Sequence, residues 1–446
     1  MTMNHPWRQT LHVEPKTGWL NDPNGLCDYG GVHQLYYQSS PEDAAGGGKK
    51  CWAHRQSSDF FHWSEEETVL FPDIPEDRSG VYSGSAVVLP GEIRLFYTGN
   101  VKEPGEYDYI LSGRQANVIT VTTADGSTMS EKQVLLRNSD YPADCSCHVR
   151  DPKIWREEGI WKMVLGARTR RDRGCVLVYH SQDLLHWTFA ARCTQPDFGY
   201  MWECPDFFRV GGQGYLSVSP QGLTHEKYRY QNVYQSGYFP VEGKLEEGKL
   251  GAFTEWDYGF DFYAPQTYET ADGRRILYGW MGIPDAGYEN PTTPLGWQHC
   301  LTLPREIRVG EDGKLLQQPV RELENLLSAP APMEGAGELP KACVLKLTRT
   351  QPDFALTLAG GLTLAYREET GVFALSFADK ALGGGRTKRQ SKGMACKTLE
   401  VVVDASSLEV YLDGGRQVFS TRFYPESYPV GYTLTGGTGS VFTVNL

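Results

Sequence analysis

The sequence predicts an all-β protein, a five-bladed β-propeller followed by a C-terminal β-sandwich. Three observations carry that reading. Gly 49, Pro 26 and 12% aromatic residues suit a chain of short strands and tight turns. A turn followed by a short aromatic-aliphatic strand recurs five times over the first two-thirds of the chain. Beyond it, plain alternation of apolar and polar residues takes over. A length of 446 residues is too great for one small core and implies two domains.

The five recurrences are Gly30-Gly-Val-His-Gln-Leu-Tyr-Tyr37, Gly91-Glu-Ile-Arg-Leu-Phe-Tyr97, Glu158-Gly-Ile-Trp-Lys-Met-Val-Leu165, Gly211-Gly-Gln-Gly-Tyr-Leu-Ser217 and Asp272-Gly-Arg-Arg-Ile-Leu-Tyr278. Each period has room for about four short strands, which is one propeller blade. A second echo, Ser57-Ser-Asp-Phe-Phe-His-Trp63 against Ser181-Gln-Asp-Leu-Leu-His-Trp187, reads as the turn into an outer strand. Trp63 and Trp187 are assigned to packing between blades. The propeller is placed at 1–318. Apolar spacing of three and four predicts a short helix over 319–327, and a Pro/Gly/Ala connector follows, the two spanning 319–334. The sandwich takes 335–446, with strands around 343–348, 354–358, 399–403 and 408–412, and shows no chemical constellation.

A net charge of -12 argues against nucleic acid as a partner. No apolar run approaches a membrane span, and residues 1–15 lack an apolar signal core, so a cytoplasmic location is expected. The ten cysteines are scattered, which fits free thiols in a reducing compartment. Only Cys145 and Cys147 sit close, and Cys145-Ser-Cys147-His148 has no fourth ligand at recognisable spacing. No metal or cofactor is expected. No motif sets the oligomeric state.

Three carboxylates stand in unusual settings. Asp22 lies in Trp19-Leu-Asn-Asp-Pro-Asn-Gly25, between turn formers and a proline that fixes the backbone. Asp151 lies in His148-Val-Arg-Asp-Pro-Lys153, and Glu203 in Tyr200-Met-Trp-Glu-Cys-Pro-Asp206. Each falls ahead of a blade's strand signal, so inner strands would bring them to one channel mouth. Glu203, beside Trp202 and Cys204, reads as a carboxyl raised by an apolar setting and suited to be a general acid. Asp22, among the amides of Asn21 and Asn24, reads as an ionised nucleophile. Asp151, beside Arg150, reads as permanently ionised, able to bind sugar hydroxyls and steady a cationic transition state. One acid and one nucleophile are the equipment of a retaining glycosidase.

At these residues the sequence resembles glycoside hydrolase family 32, the β-fructofuranosidases. Tyr36-Tyr-Gln38, Tyr82-Ser-Gly-Ser-Ala86, Phe262-Tyr-Ala-Pro-Gln266 and Leu303-Pro-Arg-Glu306 also fit, in order. The tail resembles the family's sandwich through Leu408-Glu-Val-Tyr-Leu412 and Arg422-Phe-Tyr-Pro425. The resemblance implies Asp22 as nucleophile, Glu203 as acid/base and Asp151 as transition-state stabiliser. It implies a fructose pocket of Asn21, Gln38, Trp52, Tyr82, Ser83 and Arg150, with Tyr263 and Trp297 at the rim, and no cofactor. Three positions depart from the family pattern: Ser40, Trp52-Ala-His-Arg55 and Tyr82. The implied substrate is a small fructoside, sucrose or sucrose 6-phosphate. For a phosphate, the candidate cations are Lys49, Lys50, Arg55, Arg114 and the run Arg168 to Arg173. Competing readings are a glycan-binding propeller without turnover, a fructosyltransferase or fructan hydrolase of the same family, and, more distantly, an inverting pentose-directed propeller glycosidase.

Overall fold

The computed structural model describes residues 5–446. Five antiparallel sheets succeed one another in chain order, each beginning with the strand nearest the axis. These inner strands are Gly18–Tyr29, Gly80–Leu89, Cys145–Glu157, Met201–Val210 and Tyr263–Glu269. Each packs against the next, and the fifth against the first, closing the ring of a five-bladed propeller. Closure is reinforced by Trp297–Gln298, which pairs in parallel with Gly18 and Trp19 on blade 1.

The inner strands share an irregularity. Pairing slips between Leu20 and Pro23, between Tyr82 and Gly84, across Asp151 and Pro152, between Glu203 and Asp206, and between Tyr263 and Gln266. Four of the five slips hold an X-Pro step: Asp22-Pro23, Asp151-Pro152, Cys204-Pro205 and Ala264-Pro265. Proline has no N–H to give the ladder, so the strand bulges and re-aims the preceding side chain. Three of those preceding residues take left-handed backbone, Asp151 at φ 65°, Cys204 at 46° and Ala264 at 49°. The fifth slip uses Gly84, where a Cβ would lie 1.8 Å from the Phe96 carbonyl oxygen.

The repeated Ser-x-Asp turn is the same device in blades 1 and 3. Asp59 accepts from the backbone N–H groups of Phe61 (3.1 Å) and His62 (2.9 Å), and Asp183 from those of Leu185 and His186 (2.9 Å each). Blade 2 has a third copy with little sequence likeness, where Asp125 accepts from Ser127 and Thr128. Trp187 packs edge-on against Phe96 of blade 2, a contact between blades.

The helix expected over 319–327 is a 3-10 helix, Arg321–Leu326. Only Leu323 is buried, held by an i→i+3 bond from its N–H to the Val320 carbonyl, because the segment is too short and one-sided to support α-helical turns. The connector is not a free linker either: Ala331–Met333 pairs with Gly437–Thr443 at the edge of the sandwich. Two six-stranded sheets make up that sandwich, enclosing an apolar core of Leu, Val and Phe.

A buried polar network joins the two units. His12 lies between Asp404 (2.9 Å) and Glu409 (3.0 Å) of the sandwich. Arg305 of blade 5 bonds Glu409 at 2.6 Å and Asp257 at 3.1 Å, and Arg386 grips Asp261 with two 2.7 Å bonds. Burial disfavours a charged His12, yet its two carboxylates hold it up to about 9.

Candidate active site

The bulged inner strands each deliver one or two functional side chains to the axis. Asp22 comes from blade 1, Ser83 from blade 2, Arg150 and Asp151 from blade 3, Glu203 and Cys204 from blade 4, and Tyr263 from blade 5. Cys204 ties the acids together. Its thiol lies 3.5 Å from Asp22 Oδ2, its backbone N–H donates to Asp151 Oδ2 at 2.9 Å, and Glu203 precedes it in the chain. All three carboxylates therefore share one end of the channel.

Among the described residues, Asp22 receives only neutral donors: Ser83 Oγ at 2.6 Å, Asn21 Nδ2 at 3.1 Å and the Cys204 thiol. Burial pushes its carboxyl up, and the Ser83 and Asn21 bonds oppose that. Of the two amides expected around it, only Asn21 reaches the carboxylate. Asn24 donates to the Asp22 backbone carbonyl (3.1 Å) and accepts from the N–H of Gly84 (3.0 Å), locking blade 1 to blade 2. Asn21 is itself fixed by the indole N–H of Trp19 (2.8 Å) and donates to Gln38.

Glu203 is not in the apolar setting expected of it. Alternation along the strand sends the Trp202 indole into the seam between blades, where it bonds the Phe198 carbonyl at 2.7 Å. The carboxylate faces donors instead: Arg150 on Oε1 at 2.5 and 3.2 Å, Tyr263 OH at 2.6 Å and Gln221 Nε2 at 2.7 Å on Oε2.

Asp151 also departs from expectation. Arg150 spends its guanidinium on Glu203 and His148, leaving its closest approach to Asp151 at 3.9 Å. Burial, together with the charges of Glu203 and Asp22, pushes Asp151 up to about 7, against Arg150 and the Cys204 N–H.

The remaining expected residues divide. Asn21, Gln38, Ser83, Arg150 and Tyr263 meet in one hydrogen-bonded array around the acids. Tyr82 is half-buried, with the Arg114 guanidinium 5.7 Å over its ring. Trp52 is fully buried behind it, its indole N–H given to the Tyr82 carbonyl at 3.1 Å. Trp297 is not at the rim: it is fully buried at the ring closure, beneath Arg8. Gln221, Thr98 and Cys204 were missed. Thr98 Oγ1 accepts from the Asp151 N–H at 2.8 Å and so helps hold its left-handed backbone. The recurring X-Pro step was the signal that singles out Cys204.

The inner-strand acids of a closed propeller, at these motif positions, identify the family together with direct matches. The model of the glycosyl hydrolases family 32 N-terminal domain matches residues 12–319, and that of the family's C-terminal domain matches 350–445. The chain belongs to glycosyl hydrolase family 32. It is 38% identical to the sucrose-6-phosphate hydrolase of Bacillus subtilis (strain 168), over 99% of this chain and 93% of that one. A solved sucrose-6-phosphate hydrolase from Lactobacillus gasseri superposes with a TM-score of 0.91 at 26% identity, covering 100% of this chain and 94% of that one. A Bombyx mori family 32 β-fructofuranosidase variant, solved in complex with sucrose, gives 0.84 at 30% identity, covering 100% and 95%. Among the described residues, no helix is long and apolar enough to cross a membrane.

Proposed function

We propose that this chain is a retaining β-fructofuranosidase that hydrolyses sucrose or sucrose 6-phosphate by double displacement. Full-length similarity to a sucrose-6-phosphate hydrolase and likeness to a sucrose-bound β-fructofuranosidase support the substrate class. The carrying observation for the mechanism is that Cys204 binds Asp22 through sulfur and Asp151 through nitrogen while Glu203 adjoins it. That linkage suits the close carboxyl pair a retaining enzyme needs, about 5 Å apart.

In this reading Asp22 attacks the fructosyl anomeric carbon. Ser83 and Asn21 orient it through neutral hydrogen bonds. Glu203 gives a proton to the departing glycosidic oxygen and afterwards takes one from water. Arg150 holds Glu203; fructosyl hydroxyls compete for that guanidinium and release the carboxyl for its acid role. Asp151, pinned by Thr98 and Cys204, accepts from sugar hydroxyls and steadies the cationic transition state.

Replacing Asp22 with Asn keeps the volume and removes the nucleophile. Asp22→Asn is expected to abolish sucrose hydrolysis while leaving thermal unfolding and sugar binding in place. Wild-type turnover in that variant would overturn the assignment. Sugar binding with no turnover in the wild type would favour a glycan-binding propeller.

A further inference from the structure

A row of polar side chains runs from Glu203 away from Asp22. Arg150 bonds Glu203 through Nη2 and His148 Nδ1 through Nη1, at 2.5 and 2.8 Å. Beyond the imidazole, its Nε2 lies 3.4 Å from Arg114 Nη1. A neutral imidazole accepts at one nitrogen and carries a proton on the other. The shorter contact makes Nδ1 the acceptor, so Nε2 carries the proton and gives Arg114 no acceptor; the Tyr109 carbonyl also faces this ring. Burial and the charges of Arg150, Arg114 and Arg168 hold His148 down to about 2, so it stays neutral.

Arg114 is thus a half-buried guanidinium with Nε on Asn100 Oδ1 at 2.9 Å and its plane near the Tyr82 ring. No carboxylate forms an ion pair with it among the described residues. Of the other candidate cations, Arg55, Arg168 and Lys50 have partners of their own, and Lys49 is exposed. Arg55 is held on outer blade 1 by Tyr37, Ser64 and Glu66. Arg168 pairs with Asp172 at 2.7 Å, and Arg170, Arg171 and Arg173 are exposed on the same loop. Lys50 bonds Ser40 and the Gly46 carbonyl over Trp19, on the blade that carries Asp22.

The leaving group departs on the side of the proton donor, Glu203, and the row ending in Arg114 starts there. Resting on the function proposed above, we infer that Arg114 selects a phosphorylated leaving group, its free terminal amino groups taking the phosphate of sucrose 6-phosphate. A planar guanidinium meets two phosphate oxygens with parallel bonds, and Asn100 and Tyr82 already fix its plane. His148 is the positioning residue that keeps Arg114 and Arg150 apart without adding charge.

The test is the ratio of kcat/KM for sucrose 6-phosphate to that for sucrose, in wild type, Arg114→Gln and Arg114→Lys, with inhibition by glucose 6-phosphate against glucose as a binding readout. The expected result is a wild-type preference for the phosphate ester that falls at least about tenfold in Arg114→Gln and less in Arg114→Lys, with glucose 6-phosphate inhibition weakening in parallel. An unchanged ratio overturns the inference, as does a collapse confined to Lys50→Gln or Arg168→Gln, or a wild type with no preference; sucrose hydrolysis would then stand. A wild type that cleaves neither fructoside overturns the functional reading itself and the inference with it.

Discussion

Two buried clusters in this molecule use the same side chains to opposite ends. At the joint between propeller and sandwich, burial pushes Glu409 up, but Arg305 and His12 override it and hold the carboxyl down to about 2. At the mouth of the channel, burial pushes Asp151 up to about 7, because its arginine is committed to Glu203 and two further carboxylates face it. Glu409 has direct cationic partners at 2.6 and 3.0 Å; among the described residues Asp22 has none. A cluster whose charges are matched holds two units in register. A cluster short of cations leaves its buried carboxyls shifted upward, the setting that the proposed acid and nucleophile roles call for.

Arg305→Met turns the first kind of cluster into the second. It strands Glu409 and Asp257 in a buried site and is expected to cost about 3–5 kcal/mol in denaturant unfolding. A loss below about 1 kcal/mol would mean that the joint is held by apolar contact alone.

The same joint sets an alkaline limit. His12 is raised from 6.5 to about 9 in the folded state, so its contribution is complete below pH 6.5 and is lost as pH rises through about 9. Melting temperature should therefore fall across that window, and His12→Gln should flatten this part of the profile while lowering stability at pH 6. A wild-type profile flat from pH 6.5 to 10 would contradict the pairing.

The smallest effect is expected at the catalytic end. Tyr263→Phe removes one of the donors on Glu203 and leaves Arg150 and Gln221 in place. About a tenfold loss in kcat, with unfolding unchanged, is the expected result, matching one hydrogen bond to a charged group. A larger loss in stability than in rate would make Tyr263 part of the packing.

Much of the fold was legible because propeller blades repeat. Turn and strand signals recur with the blade, and alternation changes where the sandwich begins. Asp22, Asp151 and Glu203 stood out through local chemistry, as acids beside prolines and aromatics. The X-Pro steps at Cys204 and Ala264 carried the same signal but lack an acid, so chemistry did not draw attention to them. The short helix expected over 319–327 is present but wound as a 3-10 helix, because a period of three and one of 3.6 look alike over two turns.

The sequence by itself determined the architecture, the family and which three acids to look for at the channel mouth, since these depend on residue type and order along one strand at a time. Only the tertiary structure decided the electrostatic environment of each acid. Trp202 and Cys204 adjoin Glu203 in the chain, yet its carboxylate meets Arg150, Gln221 and Tyr263 from three separate strands. Arg150 adjoins Asp151 and points elsewhere. Trp297 was expected at the rim and lies sealed under Arg8. Successive side chains on a strand face opposite ways, so sequence neighbours are seldom the groups that set a charge; that is settled by which blades converge on the axis.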